Sequence, residues 1–136
     1  MNNRLRDDIH NYPDLFCLKE PLSEPDIRRT TDLWRPPDDL LEFWREFGSG
    51  DMFESETILR PFAASSSVEF ISEREQNKGF PRHLTVFHLG IFVSGFDSEG
   101  FETFERDSYN FLGRFRTLDD WYVEMIRGSF EERYRL

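Results

Sequence analysis

A single cysteine, Cys17, stands among 136 residues, so no intramolecular disulfide can form. That suits a reducing compartment. No run approaches the roughly 20 apolar residues of a transmembrane helix. Met1 to Asp8 is polar and charged and does not read as a signal peptide. The expectation is a cytoplasmic chain with no membrane partner. Internal repeats and low-complexity linkers are absent. So is a glycine-rich phosphate loop: Gly48-Ser49-Gly50 follows a helical pattern rather than a strand, which is not a dinucleotide fingerprint. There is no Gly-x-Ser-x-Gly nucleophile elbow. Positive charge is also scarce, with 17 basic against 27 acidic side chains and a net charge of −10. Phosphate binding needs a concentrated positive surface, which argues against a nucleic-acid partner. An acidic surface suits a basic partner and speeds encounter with it, or it serves only to keep the chain dissolved.

Aromatic residues are plentiful. Fifteen Phe, three Trp and four Tyr make up 16% of the chain, a composition that disordered chains lack. The length fits one domain, and a chain of this size can bury a real core. Residues 1–22 read as an irregular N-terminal segment, with Pro13 and Pro21 as breakers, and residues 23–136 as the single domain. Ser23 ahead of Glu24, Pro25 and Asp26 signals a short helix to about Asp32, with Ile27 as its apolar contact. Pro36 and Pro37 open a stronger one. Asp38 and Asp39 sit in its first turn, and Leu40, Leu41, Phe43, Trp44 and Phe47 recur at helical spacing. Gly48 supplies a left-handed stop, and Ser49-Gly50 a tight turn.

Glu56 to Pro61 reads as a short strand. A weaker helical pattern from Val68 to Gln76 begins behind Ser65 to Ser67. Leu84 to Phe96 forms one long strand or two short ones, with Gly90 as a candidate bulge. Asp97 to Gly100 makes a hairpin turn, Phe101 to Asp107 the return strand, and Phe111 to Phe115 a further strand. Thr117 and Asp120 make a Thr-x-x-Asp variant of the capping box before Leu118, Trp121, Tyr122, Met125 and Ile126. The fold class is α+β, with a small, mostly antiparallel central sheet flanked by helices.

Several groups could carry chemistry. Asp51, Glu54 and Glu56 lie close in sequence, and paired carboxylates can perform acid–base work or hold a metal. In so acidic a chain a solvated or partner-facing rim is the simpler reading. The segment from Asp97 departs from the EF-hand pattern because Gly100 is fourth rather than sixth. His83 and His88 would point to opposite faces of a strand, which disfavours joint metal ligation. His88 reads as a satisfied, partly buried side chain. Cys17 with His10 or His88 has no supporting spacing, and a lone cysteine is usually a small buried hydrophobe. No cofactor and no metal site is expected.

The run Pro36-Pro37-Asp38-Asp39-Leu40-Leu41-Glu42-Phe43-Trp44, continuing through Gly48-Ser49-Gly50 to Thr57-Ile58-Leu59 and Pro61, resembles the signature block of the SUKH superfamily. Val86-Phe87-His88-Leu89-Gly90 and Leu118-Asp119-Asp120-Trp121 are looser matches to its central strand and closing helix, so the resemblance spans roughly residues 23–130. That superfamily includes fungal cell-wall-synthesis regulators and bacterial immunity proteins that bind and neutralise toxins, often nucleases. The resemblance implies no catalysis and a protein partner, with a basic-surfaced toxin foremost and a regulatory interaction module without a toxin as the alternative. It makes Trp44, Gly48, Gly50, Pro61 and Trp121 structural. Binding would then fall to the acidic loops, with Asp51, Glu54 and Glu56 on one and Asp97, Glu99 and Glu102 on the other. Phe53 and Phe101 serve either as exposed anchors there or as ordinary core. An enzyme acting through Asp51, Glu54 or Glu56 is the remaining reading.

Overall fold

The computed structural model describes residues 3–63 and 65–136. Among them, seven strands form one antiparallel sheet whose spatial order follows the sequence. The elements are α1 (Arg4–Asn11), β1 (Phe16–Lys19), α2 (Glu24–Trp34), α3 (Asp38–Phe47), β2 (Ser49–Met52), β3 (Glu56–Ile58), α4 (Val68–Asn77), β4 (Thr85–Leu89), β5 (Phe92–Asp97), β6 (Gly100–Glu105) and β7 (Phe111–Phe115). A closing helix follows as α5 (Leu118–Trp121), a wider π-helical stretch (Tyr122–Arg127) and α6 (Gly128–Tyr134). The class is α+β as expected, but the sheet is larger than the sequence suggested.

Two strands arise where none was predicted. Residues 1–22 are not irregular: within the described part, α1 is capped by Asn3, whose side chain accepts the Arg6 amide, and β1 pairs with β2. The pattern misses α1 because Leu5 is its one buried apolar residue. Its second anchor is polar. Buried Asp8 accepts the Tyr122 hydroxyl at 2.6 Å and Arg127 Nε at 2.8 Å, which ties α1 to the closing helix. Ser49 and Gly50 lie in β2 rather than in a turn. Gly48 has positive φ (+79°) with an extended ψ (−129°), not the left-handed helical stop. Both glycines are needed for the close approach of β1. A Cβ on Gly48 would stand 2.0 Å from the Lys19 carbonyl oxygen, and one on Gly50 2.0 Å from that of Cys17.

The apolar stripe of α3 packs onto one face of the sheet. Trp44 is wholly buried, meets Phe96 edge-on at 6.3 Å, and donates its indole N–H to the Leu59 carbonyl at 3.0 Å. Trp121 from α5 covers the same face further along, and Pro61 is buried beyond the end of β3. On the other face, Phe80 and Leu84, just after α4, lie against Gly95, and Phe80 also meets Phe104 edge-on. The bulge expected at Gly90 lies instead between Val86 and His88. It has a consequence for packing: Phe87 and His88, though consecutive, both reach Trp121, at 4.8 and 5.1 Å. Gly90 sits in the turn that separates β4 from β5, so the run Leu84–Phe96 is two strands.

Candidate functional site

Strand alternation sorts the acids of the first loop. Asp51 pairs with Thr57 and Met52 with Glu56, so Asp51 and Glu56 point to opposite faces. Asp51 is exposed and accepts the Thr57 hydroxyl at 2.7 Å, and Glu54 is exposed in the turn. Glu56 is fully buried and cannot belong to an acidic rim. Phe53 is also no surface anchor. Its φ is +52°, which turns the ring inward to stack on Phe130 at 5.0 Å and leaves it 1% exposed. A bulky residue in that conformation is strained, and burial of the ring offsets the strain. Phe101 is core as well, opposite Phe96.

The second loop lies at the other end of the sheet, because successive hairpin turns of a meander alternate ends. Asp97 Oδ1 accepts the amides of Glu99 and Gly100 at 2.8 and 3.0 Å. Arg114 on β7 reaches both Asp97 oxygens at 3.1 and 3.2 Å and Glu102 at 3.0 Å. Burial alone would raise the Asp97 pKa, but the Arg114 hydrogen bond and the Glu99 amide outweigh it and hold the carboxyl below its usual range. Two of the three acids proposed for this loop are therefore partly neutralised, and Glu99, exposed on its tip, has no side-chain partner among the described residues. Cys17 is exposed rather than buried, since β1 is an edge strand and Cys17 pairs with Asp51.

No local pattern around Glu56 announces what it does inside. The register sets Ile58 opposite His88, which brings Glu56 and His88 together across β3 and β4. His88 Nε2 lies 3.0 Å from Glu56 Oε1, and Nδ1 lies 2.9 Å from Ser94 Oγ. The Trp121 indole N–H donates to Ser94 Oγ and Thr103 Oγ1 at 3.0 and 3.1 Å, and those two hydroxyls are 2.9 Å apart. Glu56 also accepts the Ser55 hydroxyl at 2.7 Å and the Ile91 amide at 3.1 Å. Burial lowers the His88 pKa against the pull of Glu56. Burial would raise that of Glu56, but hydrogen bonds from His88 and Ser55 bring it below its usual range. The pair is thus a neutral imidazole donating Nε2–H to a carboxylate, with Nδ1 accepting from Ser94. Gly90 closes the lid, since a Cβ there would fall 2.1 Å from Glu56 Oε1.

A different carboxylate lines a cavity of about 280 Å³ between the starts of α1, α3 and α5. Its walls are Leu5, Phe43, Phe47 and Leu118 on the apolar side, and Asp39, Glu42, Asp119 and Asp120 with Asn3, Arg6 and Thr117 on the polar side. The acids cap neighbouring helices. Asp39 Oδ2 accepts the Leu118 amide at 2.6 Å, and Asp119 Oδ1 accepts the Leu5 amide at 2.9 Å. Asp39 Oδ1 has no accessible surface and meets no donor at full hydrogen-bond geometry among the described residues, while the Leu40 and Asp39 amides also lie against the carboxyl. Burial raises the Asp39 pKa despite its backbone hydrogen bonds. Sequence reasoning placed Asp39 only as a helix-start residue; its meeting with α5 is a tertiary event that no local pattern encodes. Neither this cavity nor the two shallower ones, beside Leu33 and beside Phe16, is lined by His88, Glu56, Ser94 or Thr103. Among the described residues no group of three or more His, Cys, Asp or Glu is placed to hold a metal ion, and no helix is long and apolar enough to cross a membrane. No protein-family model matches the chain, and no curated protein matches it.

Proposed function

We propose that this chain is a non-catalytic protein-binding domain of the SUKH type, an immunity protein that docks on a cognate cytoplasmic toxin with a basic surface and occludes it. A nuclease fits best, because its phosphate-binding surface is positive. The observation that carries the reading is the division of polar groups. The histidine–carboxylate–hydroxyl set that could transfer protons is fully buried, whereas Asp51, Glu54 and Glu99 are exposed on a chain of net charge −10. Buried Trp44 on α3, the positive-φ Gly48 and Gly50 after it and buried Pro61 follow one another in the order of the block that carries the resemblance, which supports the family reading.

The test is the association rate of this protein with the toxin encoded beside its gene, measured against salt. Steered association falls about tenfold or more as salt rises through the range where the Debye length shrinks below the spacing of the charges. A complex whose association rate ignores salt, or no complex, contradicts the proposal.

A further inference from the structure

The segment from Arg4 to Lys19, which carries α1 and β1, joins the rest of the domain through a two-residue hinge. Lys19 ends β1, and Leu22 is already fixed in the body, buried and with its amide on the Trp44 carbonyl at 2.9 Å. Between them lie Glu20 and Pro21, both exposed. Glu20 has a φ of +59°, a conformation that side-chain-bearing residues rarely adopt. The residue before a proline favours extended backbone with negative φ, which sharpens the conflict. Phe53 offsets a similar angle by burying its ring, whereas Glu20 buries nothing and has one surface ion pair, with Arg60.

The arm ahead of this hinge is held by a few discrete ties. Asp8 accepts from Tyr122 and Arg127, the Leu5 amide donates to Asp119, and Arg6 pairs with Glu46. β1 is an edge strand on β2, and Phe16 meets Phe53 at 5.4 Å. The arm does not stay undocked, since that would expose Leu5 and leave the buried Tyr122 hydroxyl without its acceptor. A second copy offers the same groups, so each tie re-forms between chains. From these features we infer that Arg4–Lys19 exchanges between two copies of this chain, giving a dimer in which each arm docks on the other body. The exchanged dimer keeps the contacts of the monomer and lets Glu20 relax to extended backbone, and short strained hinges invite such exchange. The inference stands apart from the proposed function and needs no toxin.

Cys17 supplies the test, because it is the sole cysteine and stands opposite Asp51 on β2. Directly opposed residues of an antiparallel pair lie within disulfide reach. The full chain carrying Asp51→Cys is refolded at low and at high concentration and then oxidised. It should give a monomer at low concentration and a covalent dimer at high concentration. Peptide mapping of that dimer should show residue 17 of one copy joined to residue 51 of the other. Glu20→Gly removes the strain and should lower the dimer association constant about tenfold. Glu20→Gln drops the Arg60 ion pair but keeps the strain, and should not lower it. Should Asp51→Cys fail to fold, light scattering of the unaltered chain beside Glu20→Gly and Glu20→Gln carries the same test. A chain that stays monomeric at every concentration, a dimer joined only through two copies of residue 17, or a dimer indifferent to Glu20→Gly overturns the inference.

Discussion

Glu56 and Asp39 are both carboxylates drawn away from water, and the chain treats them in opposite ways. Glu56 has a donor on every side: His88, Ser55 and the Ile91 amide. Its pKa falls, and it lines no cavity described above. Asp39 is only partly buried, takes backbone amides with that of Leu118 foremost, and its pKa still rises because burial outweighs them. The contrast teaches how to read a buried acid. A carboxylate with side-chain donors around it is held ionised, and one that has backbone amides alone is pushed toward its neutral form by burial.

The comparison breaks most visibly on stability. Glu56→Ala leaves His88 and the Ile91 amide without their acceptor and should lower unfolding free energy by about 3–5 kcal/mol, read by denaturant titration. Trp44→Ala should cost a similar 3–5 kcal/mol through the cavity it opens, although it touches neither carboxylate. Gly50→Ala should cost about 2 kcal/mol or more by forcing β1 away from β2, seen as lost amide protection in residues 16–19.

A finer contrast comes from pH. His88 and Glu56 both have folded pKa values below their ordinary 6.5 and 4.5, so the folded state holds fewer protons than the unfolded one. Their contribution is present above those values and is lost as pH falls, first below 6.5 for His88 and then below 4.5 for Glu56. Asp39 has the opposite sign. Its folded pKa lies above 3.8, so stability declines as pH rises from there through the folded value. Asp39→Asn should therefore hold or raise stability at neutral pH, and the difference should narrow as pH falls toward 3.8. The smallest effect belongs to the exposed loop acids. Glu54→Gln should leave stability within about 0.5 kcal/mol and lower only the association rate with a basic partner.

Local signals in the chain account for much of the fold. Ser23, Ser67 and Thr117 cap the helices they precede, and the stripe from Leu40 to Phe47 packs as its period demands. Phe111–Phe115 is a strand with the predicted ends. What could not be read depends on register and on partners distant in sequence. Asp8 needs Arg127 before α1 has an anchor, and β1 needs the two glycines of the next segment before it has room. The acidic group of Asp51, Glu54 and Glu56 looked like one site because sequence distance hides strand parity. Period-2 alternation sends Asp51 and Glu56 to opposite faces, and only the pairing with β4 shows that Glu56 meets His88. The cavity beside Asp39 was invisible for the same reason, since it exists only once α5 has packed over the start of α3.

The most direct test sets buried Glu56 against the exposed acids in one experiment, with Glu56→Gln and the triple substitution Asp51→Asn, Glu54→Gln and Glu99→Gln each assayed for unfolding midpoint and for association rate with the toxin encoded beside the gene. The expected result is crossed: Glu56→Gln lowers the midpoint and leaves the association rate unchanged, while the triple substitution keeps the midpoint and slows association. Association slowed by neutralising Glu56 but untouched by neutralising the three exposed acids would contradict it.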